Sequence, residues 1–454
     1  MSEKQPLLPS MEENPNPMSK PKRIFSLVFI VFITFMQTLT YVMTYYTVSE
    51  YALAWFEKTL YPNQTFTQNE SNCEVNRSTE EYKDLMNVQS VTSKWSIYVS
   101  LAAGLPILLS GTLLSALTDN YGRKRIIVIP IFCTFLKNGL CALAVYNAWD
   151  IYLFTVFMFV EGAGGGWVTT LSVGSACIAD LTKPDKSRSF MLTLMGTGIG
   201  LGFVGGTLLA GYTIMKVGYL YPLVISTILS LITVILITSL FPEPLPEHKR
   251  LKHFNPSSKA FSLVEFYVKN TGPNFRIRYI LAIISLGFME IGYLGKTTVE
   301  IFYATDPPYC LNPIEISIFA SVRGLTQEII GAVFLKIFQM CIVDEMITLF
   351  GLLSGIAYYI IEGLSVDKVM LFSSTAAGII AALPLTLLRS IMSKMTPPDR
   401  QGSLFGSIAF FESIYNLTGN VITGAIYSAS VHLYRGTVFF VLAGLSLISS
   451  ILVM

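Results

Sequence analysis

Ser115-Ala-Leu-Thr-Asp119-Asn-Tyr-Gly122-Arg123-Lys124-Arg125 interrupts two long apolar runs, near 95–117 and 125–146. Each run matches the roughly 20 residues that a helix needs to cross a bilayer. The link is short, so the two helices are nearly antiparallel neighbours. Gly122 suits the tight turn because it has no Cβ. Asp119 can accept from backbone N–H groups or pair with a cation. Arg123 and Arg125 can reach acids on neighbouring helices at the same membrane face, and Asp180 is the candidate. Such pairs form when that face is closed and break when it opens, so they bias a two-state element.

Working outward, apolar runs recur near 24–46, 151–180, 189–215, 218–240, 279–303, 314–338, 344–364, 368–393, 401–428 and 435–454. Charged residues make up only 13% of the 454-residue chain and hydrophobic ones 52%. A soluble domain carries about 25% charged residues, so much of this surface can face lipid. The expected fold is an all-α membrane protein with twelve transmembrane helices. The short alternating segments of an outer-membrane barrel are absent. A net charge of +2 gives no case for nucleic acid. No metal spacing, nucleotide motif or cofactor motif stands out, nor does a nucleophile–base pair, so no enzyme is expected.

Basic residues set the orientation. Lys20, Lys22 and Arg23, then Arg123, Lys124 and Arg125, then Lys183, Lys186 and Arg188, all fall on one side of a twelve-helix chain. So do Lys249, Arg250, Lys252, Lys259, Lys394 and Arg400. That side is the cytosol. The polar tail 1–23 is read as cytosolic and uncleaved, 24–241 as a first six-helix bundle, 242–278 as a cytosolic central loop and 279–454 as a second bundle. The outer loop 47–94 holds three glycosylation sequons, at Asn63, Asn69 and Asn76. Thr182-Lys-Pro184-Asp185-Lys186-Ser-Arg-Ser189 and Thr396-Pro-Pro398-Asp399-Arg400-Gln-Gly-Ser403 share Thr, Pro, Asp, a cation and Ser at a constant offset of 214 residues (182 to 396, 189 to 403). Parallel six-helix repeats are a known transporter plan.

The stretch from Ser115 to Arg125 resembles the major facilitator superfamily signature, G-x-x-x-D-x-x-G-R-[RK], with Ser115 where the signature has Gly. The second half is similar to a narrower family, that of the proton-coupled folate transporter and its lysosomal relatives, solute carrier family 46. The matching residues are Leu388-Arg389-Ser-Ile-Met-Ser393-Lys394-Met, Gln401-Gly402-Ser403-Leu404-Phe405, Ile408-Ala-Phe-Phe-Glu412-Ser and Gly424-Ala-Ile-Tyr-Ser-Ala-Ser430. The lysosomal branch fits better than the folate branch. The folate branch has an acid in helix five, where this chain reads Met195-Gly196, and a histidine in helix seven, where Tyr293 stands.

That resemblance implies a disulfide between Cys73 and Cys310, tying the halves on the outer side. Cys133, Cys141, Cys177 and Cys341 read as packing residues or reduced thiols. The resemblance also implies that Arg389 serves substrate binding and proton coupling. Arg suits an anion because its planar fork grips a carboxylate or phosphate. Glu3, Leu7 and Leu8 resemble an acidic dileucine signal read by clathrin adaptors, which directs proteins to endosomes and lysosomes.

Charges inside spans are costly and mark functional sites. Glu161, Glu290, Lys296, Glu300, Arg323, Arg389 and Glu412 are the substrate or coupling candidates; Lys137 and Glu328 are given no role. Lys296 and Glu300, four residues apart, share a helix face and serve either a structural ion pair or the substrate. Arg389 with Glu412 leaves the same two readings open. The glycine runs 162–166 and 196–206 lie mid-span; packing is favoured over hinges. The expected function is a secondary transporter of a small organic anion, with protons as co-substrate, favoured in the lysosomal membrane; a plasma-membrane folate-type proton symporter and a non-transporting nutrient receptor or scaffold are the alternatives.

Overall fold

Backbone groups in hydrocarbon must bond within their own segment, so each long apolar run becomes a helix. The computed structural model describes residues 18–62, 80–247, 250, 265–268, 275–305, 308–311, 313–430 and 434–454. Glu3, Leu7, Leu8, the three sequons, Cys73 and most of the central segment lie outside the described residues.

The first half runs α1 (Lys20–Leu60), α2 (Glu80–Tyr121), α3 (Arg123–Tyr146), α4 (Leu153–Ala163), α5 (Gly166–Leu181), α6 (Lys186–Val217) and α7 (Leu220–Leu240). The second runs α8 (Phe275–Thr305), α9 (Pro313–Leu325), a π-helical turn (Thr326–Ile330), α10 (Gly331–Phe338), α11 (Asp344–Leu364), α12 (Lys368–Ala377), α13 (Leu383–Met395), α14 (Gln401–Ser430) and α15 (Thr437–Val453).

Three expected spans are interrupted. Span 151–180 breaks into α4 and α5 at Gly164-Gly165, where Gly165 takes φ 87°, a backbone state that glycine tolerates. Span 314–338 carries the π-turn. Span 368–393 breaks between α12 and α13, and Pro384 sits in the first turn of α13, where its missing N–H costs nothing. Among the described residues, both ends of the expected outer loop 47–94 are helical. α1 runs on to Leu60 and α2 begins at Glu80, because Val48, Ala52 and Phe56 bury against Val88, Trp95 and Phe154. In water, burying such side chains stabilises by about 1.5–3 kcal/mol each.

Among the described residues, eight helical segments are long and apolar enough to cross a membrane, and Thr437–Val453 is a shorter apolar helix. The remaining expected spans lie in α8, α12–α13 and α14, which carry Glu290, Lys296, Glu300, Arg389 and Glu412. Charges lower the apolar character of α8, the break leaves α12 and α13 at 10 and 13 residues, and α14 is rich in Ser, Thr, Asn and Gly; Glu290, Lys296, Glu300 and Glu412 turn inward.

α1 packs on α6 in the first half, as α8 packs on α14 in the second. Gly198, Gly202 and Gly206 allow the first contact: an added Cβ would approach Val31 O, Phe35 O and Leu39 O to 3.2, 2.9 and 2.8 Å. The halves meet where α2 and α5 touch α14, and where α6 touches α9, α10 and α13.

Candidate transport site and latch

Gly122 turns the chain at φ 94° and leaves Asp119 buried at the end of α2. The Asp119 carboxylate accepts from Gly402 N at 2.9 Å, Ser403 N at 2.8 Å and Ser403 Oγ at 2.9 Å. It thereby caps α14 from the opposite half, where helix N–H groups favour an anion. Arg123 Nη1 donates to Asp119 Oδ1 at 2.8 Å, and Nε donates to Asp180 Oδ2 at 2.8 Å. The expected partner is therefore in place. Arg125 is exposed and has no ion pair among the described residues. Two residues after Arg123, it points to the opposite side of α3, so the expected reach across the face is not made.

The second half mirrors this arrangement. Asp344, in the first turn of α11, accepts from Ser189 Oγ, from Lys394 Nζ and from Gln339 Nε2 at 3.0 Å. The 214-residue offset maps Ser189 onto Ser403 and Asp180 onto Lys394. Arg188 adds a crossing, donating from Nη1 to Ser393 O at 3.0 Å. The two halves are thus latched at the end that carries the basic loops.

Deeper in the second half, Arg389 sits between two carboxylates. Its Nε donates to Glu412 Oε1 at 2.6 Å and its Nη2 to Glu290 Oε1 at 3.1 Å. The expected Arg389–Glu412 pair is present, with Glu290 as a third member. One cation shared by two acids leaves an excess negative charge. A proton on either acid releases part of the guanidinium fork for another anion.

A second cluster joins Lys296, Glu300, Arg323 and Glu362. Lys296 Nζ lies 3.1 Å from Glu300 Oε1 and 2.8 Å from Glu362 Oε2, and Arg323 pairs with Glu300. Tyr358 accepts a further bond from Lys296. Charges balance here, which favours the structural reading of Lys296 and Glu300. In the first half, Lys137 lies 3.0 Å from Glu161 Oε2, an ion pair without hydrogen-bond alignment. Thr134 links Glu161 to Gln37, which borders a small polar cavity lined by Thr34, Thr38, Trp167 and Thr170.

Sequence reasoning missed Glu362, Asp344 and Glu243. Glu243 accepts from Arg123 N at 2.8 Å and caps the start of α3. Glu362 and Asp344 lie near span ends, where charge carries no signal by itself. Cys310 is held in a disulfide, whereas Cys133, Cys141, Cys177 and Cys341 are free. Cys73 lies outside the described residues.

Residues 84–306 match the family model described as Major Facilitator Superfamily. The lysosomal proton-coupled steroid conjugate and bile acid symporter SLC46A3 of Rattus norvegicus is 27% identical over 400 residues, 86% of each chain. The Homo sapiens protein of that name is 25% identical over 399 residues, again 86% of each chain. The proton-coupled folate transporter of Rattus norvegicus is 23% identical over 389 residues, covering 85% of this chain and 83% of that one. Among solved structures, the human organic anion transporter MFSD10 (TETRAN) superposes with a TM-score of 0.74 at 14% identity, covering 96% of this chain and 100% of that one. The E. coli fucose:proton symporter FucP gives 0.69 at 13% identity, covering 95% and 98%. With the latch, the paired halves and these likenesses together, the chain has the fold of these transporters, matches the Major Facilitator Superfamily model over residues 84–306 and is similar to the lysosomal symporters of solute carrier family 46.

Proposed function

We propose that this protein is a proton-coupled symporter of amphipathic organic anions, of the steroid-conjugate or bile-acid kind, that exports them from the lysosomal lumen to the cytosol. The observation that carries the reading is Arg389 shared between Glu290 and Glu412. In the acidic lumen, a proton neutralises one glutamate. The freed N–H groups then take the anionic group of the solute. Proton and anion so favour each other's binding, and occupancy by both leaves the site close to neutral. The Asp119 and Asp344 latches close the cytosolic face while the solute loads. Their breaking, as one bundle rocks against the other, opens the opposite route.

Glu3, Leu7 and Leu8 supply the lysosomal address through a clathrin adaptor; glycans at Asn63, Asn69 and Asn76 and a Cys73–Cys310 bridge complete the lumenal face. Replacing Leu7→Ala with Leu8→Ala moves the protein to the plasma membrane, where lumen-facing groups meet the medium. Uptake of a labelled steroid sulfate by that form is then faster from acidic than from neutral medium. Adding Arg389→Ala abolishes the uptake at unchanged surface abundance. Normal uptake with Arg389→Ala would remove this arginine from the mechanism, and unchanged localisation would sink the sorting signal.

A further inference from the structure

Away from the latch, Glu290, Glu300, Glu328, Glu362 and Glu412 lie in second-half helices near the cations Lys296, Arg323 and Arg389. Glu300 and Glu362 hold Lys296 and Arg323, while Glu290 and Glu412 share Arg389. Glu328 has no ion pair among the described residues. Its carboxylate accepts one long hydrogen bond, from Tyr293 Oη at 3.5 Å.

Glu328 stands in the π-helical turn Thr326–Ile330. Such turns insert one residue, loosen the backbone ladder and gather at functional sites. The backbone oxygen of Glu328 is taken up across the seam by Thr197 Oγ1 of the first half, at 2.9 Å. The side chain crosses the same seam. A Cβ at Gly200 would lie 2.3 Å from Glu328 Cγ, and one at Gly196 would lie 3.9 Å from Glu328 Oε2. Glycine at 200 gives this side chain its place.

The depth is that of a coupling site. At 1.5 Å per residue, Gly200 lies about 16 Å along α6 from Ser189 of the latch. The hydrocarbon layer is about 30 Å thick, so Glu328 is near its middle. The charged and titratable groups around it are few. Tyr293 faces it from α8. Arg389 acts on it from α13 at longer range but is held by Glu290 and Glu412. Arg323, on its own helix, is held by Glu300. The α6 stretch 192–206 and the α12 stretch 369–377 carry no ionisable side chain.

An ionised carboxylate without a cation is costly to shelter from water. With the latch closed, Glu328 is half-buried between halves and lined by glycine. When the halves rock, α6 leaves and water replaces it. The environment of this one carboxylate therefore changes with the transport cycle.

We propose that Glu328 is a proton-carrying site of the symport, loading a proton in the latched state and releasing it when the α6 seam opens to the cytosol. This site serves the proton-coupled transport proposed above and is separate from the anion site at Arg389.

Two readouts test it. Infrared difference spectra of purified protein, titrated from acidic to neutral pH, contain the carbonyl stretch of each carboxylic acid that ionises. Glu328→Gln removes one component, whether or not any solute moves. In proteoliposomes, Glu328→Gln keeps steroid sulfate exchange at equal pH. It loses the share of gradient-driven accumulation that the Glu328 proton supplies, at most about tenfold across one pH unit, and keeps the share coupled at Arg389. Gly196→Glu in that background returns a carboxylate from the other side of the seam and restores accumulation. An unchanged infrared band, wild-type accumulation in Glu328→Gln, or loss of exchange together with accumulation would overturn the assignment. If the band component is lost but wild-type protein moves no steroid sulfate, the transport reading fails and the proton site stands.

Discussion

Lys137 and Glu161 show what a charge inside a span does when it is fully matched. Both are buried and 3.0 Å apart, with the Lys137 ammonium 5.0 Å from the Tyr41 ring centroid. Removing one member of such a pair leaves an uncompensated charge and costs about 3–5 kcal/mol, whereas removing both is tolerated. Lys137→Met is therefore expected to lower folded abundance sharply, and Lys137→Met with Glu161→Gln to restore most of it. Fluorescence-detected size-exclusion profiles check this; equal loss in the single and double variants would contradict it. Arg389 with two acids is unmatched by the same count, and that separates the site proposed for the anion from a brace. The sequence marked Arg389, Glu290 and Glu412 as costly charges, and the structure joins them. It could not show that, of the five glutamates Glu290, Glu300, Glu328, Glu362 and Glu412, Glu328 is the one without an ion pair among the described residues, since pairing depends on how α8, α9 and α13 pack. Glu362 escaped for a related reason: it lies two residues from a helix end and is drawn into the core by Lys296 and Tyr303.

The latch is a property of helix ends. α2 delivers Asp119 to the first N–H groups of α14, and α11 delivers Asp344 to Ser189 at the start of α6. Gly402 lets the first contact close. An added Cβ there would meet Thr118 Oγ1 at 2.3 Å, Arg123 Nη1 at 2.5 Å and Asp119 Oδ1 at 2.6 Å. Gly402→Ala is thus expected to pry open the basic face. A strain of about 1.4 kcal/mol shifts a two-state equilibrium about tenfold. An impermeant maleimide applied from the cytosolic side should label Ser393→Cys faster in the Gly402→Ala background; equal rates would mean that the latch does not control access. The Asp119–Gly122–Arg123 turn and the Asp180 partner were legible from spacing. The breaks at Gly165 and between α12 and α13 were not, because hydropathy reports apolar length and is blind to φ. The extension of α1 to Leu60 was hidden likewise, under a polar loop composition.

For the whole molecule, the two halves are related in sequence by the 214-residue offset and in space by latches of exchanged sign, Asp180 with Arg123 in one and Lys394 with Asp344 in the other. That relation and the twelve-run pattern made the architecture readable before any coordinates. The cargo was not readable, because a site of one arginine and two acids recognises charge and leaves the apolar part of a solute to side-chain packing. Cys310 sits at the outer end, and non-reducing peptide mapping is expected to join it to Cys73; a Cys310 thiol free to alkylate in the native protein would break that link. The central claim is that proton and organic anion cross together. Its most direct measurement is the internal pH of proteoliposomes holding a trapped pH dye when steroid sulfate is added outside. Entry of the anion with protons predicts acidification of the lumen, absent with Arg389→Ala. Steroid sulfate uptake with no change in internal pH, under conditions where passive proton leak is negligible, would contradict it.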